Sequence, residues 1–108
     1  MPVYNKLVRD LIPEVIQSNG KNCRTKILNT EEYINELNIK LNEEIEEYHK
    51  AINDQSALEE LADILEVIRA LAEAKGTSWQ ELENIRARKA DSRGVFKDRV
   101  FLIDVDDA

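Results

Sequence analysis

The stretch "EEIEEYHKAINDQSALEELADIL", residues 43–65, decides how this chain folds. Ile45, Ile52, Leu58, Leu61 and Leu65 keep a helical spacing through it, while "NDQS" at 53–56 interrupts the pattern. Apolar residues at such intervals mark amphipathic helices, and a cluster of Asn, Asp and Ser marks a break. The stretch therefore reads as the end of one helix, a short connection and the start of another. Two helices so joined pack as antiparallel neighbours. The question it raises concerns its acids, because several stand where a packing surface should carry leucine.

Working outward, Thr30 is the expected N-cap of the longer helix, with Glu31 and Glu32 at its positive end, and that helix should run to about Asn53. Ser56 followed by Glu59 reads as a capping box for the next helix, which should end before Gly76. Ser78 followed by Glu81 opens another over about 79–91. Asp10 is the expected cap of a short first helix, with Pro13 in its first turn and Gly20 closing it. Residues 92–98 read as a turn or loop, and "CRTKIL" at 23–28 and "RVFLIDV" at 99–105 have strand character and could pair. The expected architecture is all-α in the main: one domain over 1–108, a four-helix bundle completed by oligomerisation, with a short strand pair from the N- and C-terminal regions. No repeat, linker or low-complexity segment is present.

The totals bound the function. The chain has 108 residues, 43% hydrophobic and 34% charged, with a net charge of −7. So short a chain buries a modest core by itself, which favours assembly with other copies. The acidic balance argues against a nucleic-acid polymer or an anionic membrane as partner and suits divalent cations. No apolar run reaches the roughly 20 residues of a membrane span, and the N-terminus lacks a signal-peptide core. A cytoplasmic location is expected. Cys23 stands alone, so no intrachain disulfide forms, and it reads as a small apolar residue rather than a nucleophile.

A helical wheel at about 100° per residue divides the acids. On the first long helix Ile34, Leu37, Leu41, Ile45, Tyr48 and Ile52 form the apolar stripe. Glu44 falls inside it, Glu47 at its edge, Glu43 further out and Glu46 on the far side. On the next helix Glu60 falls among Ile64, Val67 and Leu71, and Asp63 lies beside Val67. Glu59, Glu66 and Glu73 share the solvated face with Arg69. Each inward pair is spaced i, i+3, so both carboxylates project from one side. Four carboxylates converging between packed helices repel one another and are costly to bury. Protonation or a bound cation relieves this, and an all-oxygen cluster suits Mg²⁺ or Mn²⁺. In so acidic a chain the same spacings also arise by accident; the wheel positions favour a metal site. A di-iron carboxylate bundle is a poorer reading, because Glu46 and His49 fall on the polar side and no second His exists.

"KLNEEIEEY" followed by "LEELADILEVIRAL" resembles the E-x-x-E … E-x-x-D signature of the MazG-like all-α nucleoside-triphosphate pyrophosphohydrolases, whose relatives include dimeric dUTPases and phosphoribosyl-ATP pyrophosphohydrolases. "YNKLVRDLIPEVI" and "RKADSRGVFKDRVFL" resemble the two ends of a small phosphoribosyl-ATP pyrophosphohydrolase-like group, so the likeness spans nearly the whole chain. It implies metal ligands at Glu44, Glu47, Glu60 and Asp63, with Mg²⁺ (or Mn²⁺) as cofactor. The spacing between the two acidic pairs is short for the family. The resemblance further implies hydrolysis of a nucleoside triphosphate to monophosphate and pyrophosphate in a homodimer or homotetramer.

A free carboxylate beside such a metal can take the proton of the attacking water, and Glu43 or Glu47 is the candidate. The triphosphate also needs cations from the protein. Lys40 lies one turn before Glu44 on the same side, and Lys89, Arg93 and Lys97 belong to a basic cluster; these four are the phosphate-binding candidates. Lys6 and Arg9 read as braces, and Trp79, next to a helix cap, as a packing anchor rather than a base-stacking platform. Two other readings stay open: a non-catalytic helical interaction module on the same scaffold, and a phosphoribosyl-ATP pyrophosphohydrolase.

Overall fold

Two 21-residue helices joined by three residues make the centre of the molecule, which a computed structural model describes over residues 2–107. The elements are α1 (Ile12–Ser18), α2 (Thr30–Lys50), α3 (Asp54–Ala74) and α4 (Trp79–Arg93). Helices α2 and α3, each about 31 Å long, fold back on one another, and α4 touches the hairpin more lightly through α3. The all-α expectation holds: no strand forms among the described residues.

Local chemistry explains where each helix starts. The Asn29 side chain accepts from the Glu32 N–H at 2.8 Å, and the Glu32 carboxylate reaches back to the Asn29 N–H at 3.4 Å. The cap of α2 is thus Asn29, one residue before the expected Thr30. Likewise Asn53, not Ser56, caps α3, accepting from the Ser56 N–H at 2.8 Å. In both cases an Asn upstream of the expected hydroxyl caps an earlier N–H and the helix starts sooner, and Asn caps at least as well. Helix α2 correspondingly stops at Lys50, not Asn53. Ser78 does cap α4, accepting from the Glu81 N–H at 3.0 Å. In α1 the cap position is Leu11 without a side-chain bond, so Asp10 does not cap; Pro13 sits in the first turn, as expected.

Helix α3 ends in a left-handed turn at Gly76, φ +83°. The Gly76 N–H donates to Glu73 and the Thr77 N–H to Ala72, which satisfies carbonyls the helix leaves open. A Cβ at this φ would be strained, which accounts for glycine there. Helix α4 continues two residues past the expected 91, to Arg93, and Gly94 follows at φ +82°.

The two segments of strand character, 23–28 and 99–105, form no strand within the chain. Ile27 is 97% exposed and Phe101 86%. An isolated two-stranded ribbon is marginal in water without a surface beneath it, and 99–105 is exposed along its whole length.

Leu37 of α2 and Val67 and Ala72 of α3 are the buried apolar residues. Leu37 and Val67 lie equally far from Ile52, one before it and one after, as an antiparallel register about the short connection requires of facing residues. The same holds for Glu44 and Glu60, each eight residues from Ile52. The remaining apolar surface of the pair, including Ile45, Tyr48, Ile52, Leu58, Leu61 and Leu65, is open to solvent in the single chain.

Candidate metal centre

Glu44, Glu60 and Asp63 each offer a carboxylate oxygen within 4.8 Å of the others, and all three are partly buried. The antiparallel register sets Glu44 against Glu60, and the i, i+3 spacing adds Asp63 on the same side of α3. Neighbouring side chains hold the outer two. Arg9, from the segment before α1, donates to Asp63 at 2.7 Å. The Lys40 ammonium lies 3.5 Å from Glu44 and 3.6 Å from Glu43. Arg9 therefore braces, as its sequence position suggests, by tying the N-terminal segment to α3.

At Glu60 one carboxylate oxygen is left without a partner. Its Oε2 is buried and accepts no hydrogen bond. Removal from solvent is the main reason its carboxyl titrates above the ordinary range. A hydrogen bond shared with Glu44 and the negative charges of Asp63, Glu44 and Glu47 push the same way. A buried carboxylate oxygen with no donor, facing two more carboxylates, is a site that needs either a proton or a cation. The donor set is all oxygen and anionic, so the cation that fits is hard and divalent, Mg²⁺ or Mn²⁺.

The acids open onto a cleft of about 380 Å³ lined by Lys6, Lys40, Glu43, Glu44, Glu46, Glu47 and Glu60. Five glutamates against two lysines leave it strongly negative, so an anionic substrate would need added positive charge to enter. Of the four acids read from the sequence as ligands, three share the cluster. Glu47 stands at the cleft wall, more exposed, one turn from Glu44. Glu43 lines the cleft too, which places both candidate bases beside the cluster. Lys40 is also in the wall, whereas Lys89 and Arg93 sit on the last turns of α4 and Lys97 beyond it, none of them lining this cleft.

Glu46 lines the outer part of the cleft although the wheel turns it outward. Lys6 is the wall residue whose contact no periodicity could announce, since it precedes the first helix. His49 is exposed against the Tyr48 ring, 5.6 Å between centroids, and no second histidine exists to join it, so the di-iron arrangement has no basis here. Trp79 is half-buried with the Arg69 guanidinium 5.9 Å from its ring centre, which fits an anchor between α3 and α4. Among the described residues no helix is long and apolar enough to cross a membrane. Comparison of the chain with protein-family models, with curated proteins and with solved structures finds no match.

Proposed function

We propose that this chain is a divalent-metal-dependent nucleotide pyrophosphohydrolase of MazG-like type. It would cleave a nucleoside triphosphate between the α and β phosphates to give monophosphate and pyrophosphate. The observation that carries the reading is the buried, unpartnered Glu60 Oε2 set between Glu44 and Asp63. A helix pair that served only as an interaction surface would gain nothing from an acid at that position. Glu44, Glu60 and Asp63 would hold Mg²⁺ or Mn²⁺, with Glu47 able to join from the wall. When bound, such an ion neutralises phosphate oxygens and lowers the pKa of water.

The chain's own residues supply the rest. Lys40, paired with Glu43 and Glu44 in the cleft wall, would turn to a phosphate that entered there. Glu43 or Glu47 takes the proton of the attacking water as the new P–O bond forms and the anhydride bond breaks. Pyrophosphate leaves with the electron pair of that bond. Arg9 keeps Asp63 aimed at the cluster. Clearing non-standard or excess nucleotides is a role such an activity would fill, and phosphoribosyl-ATP is the runner-up substrate. The open apolar face of α2 and α3 supports a homodimer or homotetramer as the working form.

The test is Glu60→Gln, which is nearly isosteric and removes the charge. It should keep the helical circular-dichroism spectrum and lose turnover by roughly 100-fold or more, as expected when a transition-state charge loses its counter-ion. Full activity in this variant would place the chemistry elsewhere.

A further inference from the structure

From Asp91 to Asp107 every residue is exposed. That run includes Phe96, 98% exposed, and Val100, Phe101, Leu102, Ile103 and Val105, each at least 73% exposed. Isolated apolar side chains on a surface need no explanation, but a contiguous set of this size marks a contact surface. The whole chain agrees. It exposes 9912 Å², whereas a folded monomer of 12.5 kDa exposes about 6,200 Å². Its radius of gyration is 18.7 Å, against about 13 Å for a compact chain of this length. The excess surface is roughly 3,700 Å² per chain, and covering half of it on each of two chains gives an interface of the size that permanent dimers bury.

We infer that residues 95–105 are an arm that docks on the α2–α3 face of a second copy of this chain and brings Lys97 and Arg99 to that copy's acidic cleft. The inference rests on the pairing of chains proposed above and not on hydrolysis. Three observations choose this occupant. The molecule is 65 Å in its longest dimension, about twice the length of α2 or α3, so part of the chain reaches well beyond its own hairpin. The face left open on α2 and α3 is apolar, with Ile45, Tyr48, Leu61 and Leu65 exposed, and it needs an apolar cover that the arm carries. Charge sets the direction. Arg93, Lys97 and Arg99, with Asp98 between the last two, leave the near end of the arm net basic, and Asp104, Asp106 and Asp107 make its far end acidic, while the cleft holds more glutamates than lysines.

Spacing allows both contacts at once. Lys97 and Phe101 are four residues apart, at most about 13 Å if the chain were fully extended, and the turn in which the Arg99 N–H donates to Phe96 at 3.4 Å shortens that span. On the receiving helices the acids and the apolar positions are sequence neighbours: Glu44 beside Ile45, Glu47 beside Tyr48, Glu60 beside Leu61. An arm seated on the apolar side chains thus has its basic end within reach of the acids. The cleft of one chain is then incomplete without its partner, which accounts for basic residues of the tail lying outside the cleft of their own chain.

The experiment replaces Phe101 in the full-length chain with a photo-crosslinking benzophenone amino acid and irradiates the assembled protein. The arm predicts a species at twice the chain mass whose linked peptide lies within residues 43–65 of the other copy. A link within one chain, a link to another region, or no link overturns it. A second variant, Phe101→Ser with Ile103→Ser, should weaken self-association by roughly 100-fold or more in sedimentation equilibrium, since each arm loses two large apolar contacts. An unchanged dissociation constant overturns the arm while leaving the paired chains standing. A wild-type chain that sediments as a monomer overturns both.

Discussion

Heating the protein with and without divalent metal should separate the wild-type chain from Glu60→Gln in both directions. Three carboxylate oxygens lie within 4.8 Å of one another. Six-coordinate Mg²⁺ at about 2.1 Å places adjacent ligand oxygens about 3 Å apart. The cluster therefore closes on an ion with side-chain movements of less than about 2 Å, which leaves the helices in place. Metal at 100 times its dissociation constant adds about 2.7 kcal/mol to stability. For a domain of this length that raises the unfolding temperature by roughly 10–20 °C at fixed chain concentration.

Without metal the sign reverses. The folded state holds the Glu60 proton more tightly than the unfolded chain does, because burial and the neighbouring acids raise its carboxyl above the ordinary range. The unfolded state thus binds fewer protons through that window, so stability falls as pH rises from the ordinary carboxyl value to the raised one, and the penalty stays in full above it. Glu60→Gln abolishes this dependence. The metal-free variant should melt above the wild type at neutral pH, and the wild type should overtake it when Mn²⁺ or Mg²⁺ is added. Scanning calorimetry at several pH values, with metal and with EDTA, reads both effects. Equal metal shifts in the two proteins, or none in either, would refute the assignment of Glu60 to a cation site.

Other perturbations have smaller and separable outcomes. Leu37→Ala empties the most buried apolar position, 3% exposed, and should cost about 2–5 kcal/mol in urea unfolding; no change would mean the α2–α3 contact is not the stabilising core. Asn53→Ala removes the acceptor of the Ser56 N–H and should cost about 1 kcal/mol, whereas Ser56→Ala, which caps nothing, should sit near zero. Arg9→Ala breaks a bond to Asp63 that solvent reaches on both sides, so its stability cost should stay below about 1 kcal/mol. Metal affinity, measured by Mn²⁺ titration, should still change in that variant, because Asp63 loses its orientation; an unaltered affinity would make Arg9 a surface pair only.

The centre of this molecule was legible in the sequence because its information is local. A period near 3.6 fixes which side of α2 and α3 packs, and it singles out Glu44, Glu47, Glu60 and Asp63 from among the many acids, three of which the structure brings together. The antiparallel register follows from the short connection, and it sets Glu44 against Glu60. Glu47 is legible only to its neighbourhood: the wheel puts it at the stripe's edge, and the structure puts it at the cleft wall rather than in the cluster. The caps of α2 and α3 lie one and three residues before Thr30 and Ser56, because Asn29 and Asn53 accept from the N–H groups of Glu32 and Ser56 and start each helix earlier. The contact of Arg9 with Asp63 and the place of Lys6 join segments far apart in the chain, and no periodic signal carries that. The tail reads as a strand by composition, yet strand character becomes structure only where another surface completes it.

The most direct measurement is product analysis on a panel of nucleoside triphosphates with Mg²⁺, with Mn²⁺ and with EDTA. The account predicts pyrophosphate and monophosphate in equal amounts, only with metal, and a loss of that release in Glu60→Gln. Metal-independent release, diphosphate with orthophosphate as products, or no release from any triphosphate or from phosphoribosyl-ATP would contradict it, and the last result would leave the helical pair as an interaction module.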